Sequence, residues 1–280
     1  MDTKEIRMMA VVDPTRVEQW ALQKAIAIAK SCGAPMIFAY LCAHSNTKSS
    51  DPERLREVDI RRHQLWLEEI LTDFSDAGVQ IELIVDWNAD WRDAICVAAE
   101  RAKIDVVIKR ASGHPDSLAN SDRRLIRGLD GSALFLVKHD PVAPVKNVLV
   151  AIDLNATDVS HLALNNSIVA LGQRIRKNDS EVQLHSVSAY ENANQFSHPP
   201  DVAKILNITR AQAHVCRGSA AEVIPDRADK IGADLVIIGN VGRRGLSGVT
   251  IGNTAEKILT DIKADVLILV QEMQRDRTAA

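Results

Sequence analysis

Three glycines near the end of the chain are spaced for holding an anion. Two residues separate Gly239 from Gly242, and nine separate Gly242 from Gly252. The apolar run from Asp234 to Gly239 reads as a strand, and the segment from Ala255 to Leu259 reads as a helix. A glycine-punctuated loop between a strand and a helix start lets the backbone approach phosphate closely and points free N–H groups at it. Asn253 and Thr254 sit at the helix start, and Arg243 or Arg244 could supply positive charge. A second reading stands beside this one. Asn253 followed by Glu256 makes a capping box, which stabilises a helix start by about 1 kcal/mol without any ligand. The glycines could then simply shape a tight loop.

In an open parallel sheet, ligands bind beyond the carboxyl ends of the strands where the strand order reverses. At that edge the second half of the chain gathers Asp153, Val187 and the Gly239 to Gly242 loop. The first half gathers Asp13 and then Lys109-Arg110-Ala111-Ser112-Gly113, with Gly128 and Gly131 much later, so the glycine spacing is missing. Lys109, Arg110, Arg123, Arg124 and Arg127 could serve another anion, although solvated charge is the commoner explanation. The first half is therefore expected to support the second. Asp13, Asp86 and Lys138 also end strands as a phosphoacceptor site would require, but Pro14 replaces the second acid of such sites. The second copy keeps neither the second Asp nor the Lys, and that reading is set aside.

No hydrolase elbow and no Walker-type loop are present. The histidines lack zinc-ligand spacing, and His185 and His214 read as core histidines inside strands. Cys32, Cys42, Cys96 and Cys216 form no CxxC pair, which suits a reducing compartment. Cys42 and Cys216, at strand ends, read as buried, inert thiols.

The elements that must position these residues come in two similar series. Strands are expected at Met8 to Val12, Met36 to Leu41, Gln80 to Val85, Asp105 to Lys109 and Ala133 to Val137, with helices between them. After a linker with Pro141 and Pro144, the series restarts at Asn147 to Ile152. The alternation predicts a parallel α/β sheet with helices on both faces. Ile104-Asp105-Val106-Val107-Ile108 echoes Ala233-Asp234-Leu235-Val236-Ile237, the mark of an old duplication. Two domains, 1–140 and 145–273, are expected. Between Tyr190 and Ala211 only a short helix fits, where the first half has room for a long one, so the second cleft should be less covered.

Among 280 residues, 46% are hydrophobic and only 4% aromatic, so Ala, Val, Ile and Leu must build the core. A net charge of −3 gives no footprint for nucleic acid or an anionic membrane. No run is long enough to span a bilayer, and the N-terminal residues lack a signal-peptide core. The expectation is a cytoplasmic protein.

The Gly239, Gly242, Gly252 spacing, followed here by Asn253 where Ser or Thr is usual, resembles the nucleotide loop of the universal stress protein family. The wording Gly239-x-Val241-Gly242-Arg243-x-Gly245-Leu246-Ser247, then Gly252-Asn253-Thr254-Ala255-Glu256, is similar to its tandem members. The resemblance covers nearly the whole chain. It implies two doubly wound domains with strand order 3-2-1-4-5, packed as an intramolecular pseudo-dimer, with a homodimer of chains also open. It implies ATP with Mg as ligand, with Asp153 meeting adenosine and Gly239, Gly242, Gly252, Asn253 and Thr254 meeting phosphate. The implied role is protection during stress by ligand-gated binding rather than turnover, with slow ATP hydrolysis the furthest extent of chemistry. The alternatives are a carrier of a different metabolite, acyl or sugar-nucleotide, and a ligand-independent scaffold with no cofactor.

Overall fold

A computed structural model describes residues 6–44, 50–112, 121–240, 243–245, 248–250 and 258–270. The first half runs β1 (Met8–Val11), α1 (Trp20–Cys32), β2 (Met36–Ala43), α2 (Pro52–Thr72), β3 (Gln80–Trp87), α3 (Trp91–Arg101), β4 (Val106–Arg110), α4 (Ser121–Gly128) and β5 (Ala133–Val137). The second half runs β6 (Asn147–Ala151), α5 (Val159–Asn178), β7 (Gln183–Tyr190), α6 (Pro199–Leu206), β8 (Ala213–Arg217), α7 (Ala220–Ile231) and β9 (Leu235–Asn240). It ends with a hairpin of β10 (Arg243–Gly245) and β11 (Gly248–Thr250), a helical turn at 258–261, and β12 (Asp265–Val270). The hairpin lies inside the nine-residue interval between Gly242 and Gly252, where the sequence signals only a loop.

Local signals set the helix ends. Asp51, Asp90 and Asp158 each accept a backbone N–H at a helix start, and Pro52 opens α2 where no N–H partner is needed. Gly33 and Gly232 end α1 and α7 in the left-handed region at φ 70° and 61°, where a side chain would be strained.

Each half is a parallel sheet of order 3-2-1-4-5. The two sheets meet edge to edge, because β5 pairs antiparallel with β12 and yields one ten-stranded sheet. One core holds Leu22, Leu67, Leu164, Ile168 and Leu206 from α1, α2, α5 and α6. The other holds Ile95, Leu125, Ile224, Ile258 and Ile262 from α3, α4, α7 and the last helical turn. Each core therefore runs across both halves on one face of the sheet. Antiparallel joining with equivalent helices on the same face requires a pseudo-twofold axis perpendicular to the sheet. The carboxyl ends of the two strand sets consequently point to opposite edges.

A buried charge cluster fastens the joint. Lys24 in α1, 6% exposed along its side chain, pairs with Asp265 in β12, 2% exposed, at 3.0 Å. The other Asp265 oxygen accepts from the Lys138 and His139 amides at 2.7 and 3.1 Å. The Lys138 ammonium donates to the Leu259 and Ile262 carbonyls, each at 2.6 Å. Burial pulls the Lys138 pKa down to about 8 against the opposing pull of Asp122, Asp265 and Asp261. Lys138 thus grips the second half's last helical turn, while Asp86 faces Arg101 at 3.4 Å. The phosphoacceptor arrangement is absent.

Candidate functional site

The strand pairing opens a crevice in the second half. The β6–β9 ladder ends at Val150 opposite Ile237, while Gly239 and Asn240 remain paired only with Leu269 and Val270 of β12. Beyond that divergence lies a cleft of about 720 Å³. Asp153, Val187 and Gly239 all line it, together with Asn155, His161, Asn165 and Asn240. Ile152 and Ile168 from one core and Ile224, Ile238 and Ile258 from the other also line it. Helix α6 has only eight residues against twenty-one in α2.

The backbone of Asp153 is held by an amide clamp. Its N–H donates to Asn165 Oδ1 at 3.1 Å, and Asn165 Nδ2 donates to its carbonyl at 2.6 Å. The Asp153 carboxylate accepts the Asn155 amide on Oδ1 at 2.9 Å. Its position at the cleft mouth suits it to accept from a ligand hydroxyl or amine. Val187 contributes its backbone: its carbonyl accepts from the Ile152 N–H at 3.0 Å, and its side chain is buried.

Gly239 has a packing reason to be glycine. A Cβ there would lie 2.6 Å from Leu164 Cγ and 3.2 Å from Ile168 Cδ1, both on α5. The same glycine lets α5 sit against the sheet and lines the cleft. Arg243 lies in the β10 strand, paired with Thr250. Gly242, Gly252, Asn253 and Thr254 lie outside the described residues.

The first half carries the same frame with different contents. Gln19 clamps the Asp13 backbone, accepting its N–H at 3.0 Å and donating to its carbonyl at 2.9 Å. The Asp13 carboxylate, however, is already engaged by the Thr15 hydroxyl at 2.6 Å and by Arg16 at 3.3 Å. Burial alone would raise its pKa, yet Thr15 and Arg16 hold it below the usual carboxylate value.

Register aligns the two clefts residue by residue. Ala10 opposite Ile108 and Val150 opposite Ile237 are the last pairs of their ladders. Arg110 therefore stands where the second half has Gly239, and Lys109 stands where it has Ile238. Arg110 stacks on Trp20 at 3.7 Å, on the face where Gly239 leaves room for α5. Lys109 forms a 2.9 Å ion pair with fully buried Asp122, on the face where the equivalent Ile238 lines the second-half cleft. The solvated-charge explanation does not hold for Lys109: its side chain is 11% exposed and also donates to the Arg110 carbonyl and Ser112. Burial and pairing of this kind could not be read from a run of basic residues.

Away from the cleft, His185 and His214 stack in parallel, with Nδ1 and Nε2 3.2 Å apart, so one ring donates to the other. Burial, with Arg227 and His185 adding to it, pulls His214 down to about 4. The fold therefore rejects protons that the unfolded chain accepts from its ordinary value of 6.5. Stability from this pair is present above pH 6.5 and is lost as pH falls toward 4. Denaturant midpoints followed across that window should fall in the wild type and flatten in His214→Gln. An unchanged slope in the variant would contradict the assignment. Cys42 is half-buried and its thiol donates weakly to the Asn88 carbonyl at 3.6 Å. Burial keeps that thiol pKa raised, as an inert role requires.

Among the described residues, no cluster of three His, Cys, Asp or Glu is arranged to hold a metal. Also among the described residues, no helix is long and apolar enough to cross a membrane.

The fold defines a tandem, doubly wound α/β protein with an open cleft at the carboxyl edge of its second half. The universal stress protein family model matches residues 7–132 and 144–270, and the chain belongs to that family. It is 28% identical to universal stress protein E of Salmonella typhi, covering 94% of this chain and 93% of that one. The universal stress protein E homolog of Haemophilus influenzae is 24% identical, with 93% and 96% covered. A solved protein of Pseudomonas aeruginosa PAO1, described as functionally unknown, shares the fold at TM-score 0.77 and 22% identity, covering 96% of this chain and 94% of its own.

Proposed function

We propose that this protein is a stress-response ligand-binding protein, residing in the cytoplasm, whose second half takes an adenine nucleotide while its first half is a structural partner. The observation that carries the reading is the asymmetry of the two clefts. At equivalent positions, Gly239 and Ile238 line a cleft in the second half, whereas Arg110 stacks on Trp20 and Lys109 pairs with Asp122 in the first. The cleft also sits at the switch point between β6 and β9, where doubly wound sheets hold ligands.

In this reading Asp153 accepts from the ribose or base, and the isoleucines lining the cleft take the apolar face of the ligand. The glycine loop with Arg243, Gly252, Asn253 and Thr254 meets the phosphates. Binding rather than turnover is the role. Any Mg would arrive with the phosphates of the nucleotide.

Calorimetric titration of ATP-Mg and of AMP into ligand-free protein tests this directly. Saturable binding at roughly micromolar strength is expected, weakened roughly tenfold or more in Asp153→Ala, where a charged acceptor is lost. No saturable heat from either nucleotide would reject the nucleotide reading. A copurified amphipathic metabolite would then favour the carrier reading, which the five isoleucines of the cleft wall support.

A further inference from the structure

The residue after Gly239 carries an observation that the glycine pattern does not use. Asn240 is only 4% exposed, and its Nδ2 is buried with no hydrogen-bond partner among the described residues. Alternation along β9 puts its side chain on the same face as Val236 and Ile238, opposite the face on which Gly239 meets α5. That face looks toward Ile224 and Ile258, and Asn240, Ile224, Ile238 and Ile258 all line the cleft. A buried amide donor among aliphatic side chains is costly unless something accepts from it. At the equivalent first-half position the register places Ala111, which has no side-chain donor at all.

We propose that Asn240 is a recognition residue of this cleft, its carboxamide nitrogen donating a hydrogen bond to an oxygen or ring-nitrogen acceptor of the bound nucleotide. The proposal rests on the nucleotide reading and adds to it a second polar anchor. Asp153 at the mouth accepts, and Asn240 deeper in the cleft donates. A ligand that presents both a donor and an acceptor satisfies the two, whereas a purely aliphatic one leaves the amide stranded. Asn240 is thereby kept for the ligand at the expense of the free protein.

The test has two arms on the intact protein, with Asn240→Leu and Asn240→Ala as variants. In the first arm, the thermal midpoint of the ligand-free protein is measured. Leucine replaces a stranded amide by an apolar group of similar branching, so the midpoint should stay level or rise. A clear fall in both variants would show that the amide already has a structural use and would overturn the inference. In the second arm, AMP and ATP-Mg are titrated. Both variants should bind AMP roughly tenfold or more weakly than the wild type, as expected when a buried donor is lost. Wild-type affinity in both variants would overturn the role of Asn240 and leave the nucleotide reading standing. Absence of binding in the wild type itself would remove the nucleotide reading and this inference with it.

Discussion

Asp265→Ala should cost about 3–5 kcal/mol of stability, the penalty for leaving one member of a buried ion pair uncompensated. The substitution strands the Lys24 ammonium, 6% exposed, and frees the Lys138 and His139 amides that share the carboxylate. Because Lys24 belongs to the first half and Asp265 to the second, the loss falls on the joint between them. Urea unfolding should show a lower midpoint and, if the halves uncouple, a broadened or two-step transition. Lys24→Met combined with Asp265→Leu removes both charges and should recover much of the loss, since an apolar pair of similar size often replaces a buried ion pair without penalty. A single Asp265→Ala variant with wild-type stability would mean that the joint does not depend on this pair.

Gly239→Ala should destabilise the protein by about 1–3 kcal/mol, the usual range for overpacking a filled core. The added methyl would lie 2.6 Å from Leu164 Cγ, so α5 must shift or the leucine must leave its position. The cost should couple to that side chain. Leu164→Ala alone loses about 2–5 kcal/mol by leaving a cavity. The double variant should lose clearly less than the sum, because the alanine methyl enters space the leucine vacated. Additive losses would show that the glycine is required by something other than α5. A loss of nucleotide binding with no loss of stability would place its role wholly in phosphate approach.

The strand and helix alternation was legible because the apolar runs are short and separated by clear breaks such as Gly33, which ends α1, and Pro52, which opens α2. Strand ends were legible for the same reason, which put Asp13 and Asp153 at equivalent places. The joining of β5 to β12 was not legible. Both are apolar strands apart from Asp265, and nothing in Ala133–Val137 or Asp265–Val270 signals which edge faces which. The amide clamps on the two aspartates were also hidden. Gln19 lies six residues beyond Asp13 and Asn165 twelve beyond Asp153, so the same contact has no common spacing.

The contents of the first cleft turned on partners that sequence does not pair. Lys109 and Asp122 are thirteen residues apart with α4 beginning between them, and Arg110 finds Trp20 across the β1–β4 crevice. The glycine spacing in the second half was visible, but the buried amide of Asn240 was not. A single Asn in a loop motif looks like any turn residue until its burial is known.

The most direct measurement is the stoichiometry of nucleotide binding by equilibrium dialysis with labelled AMP, on the wild type, Asp13→Ala and Asp153→Ala. The account predicts one nucleotide per chain, retained in Asp13→Ala and lost or strongly weakened in Asp153→Ala. Two nucleotides per chain, or a site abolished by Asp13→Ala and kept in Asp153→Ala, would contradict it.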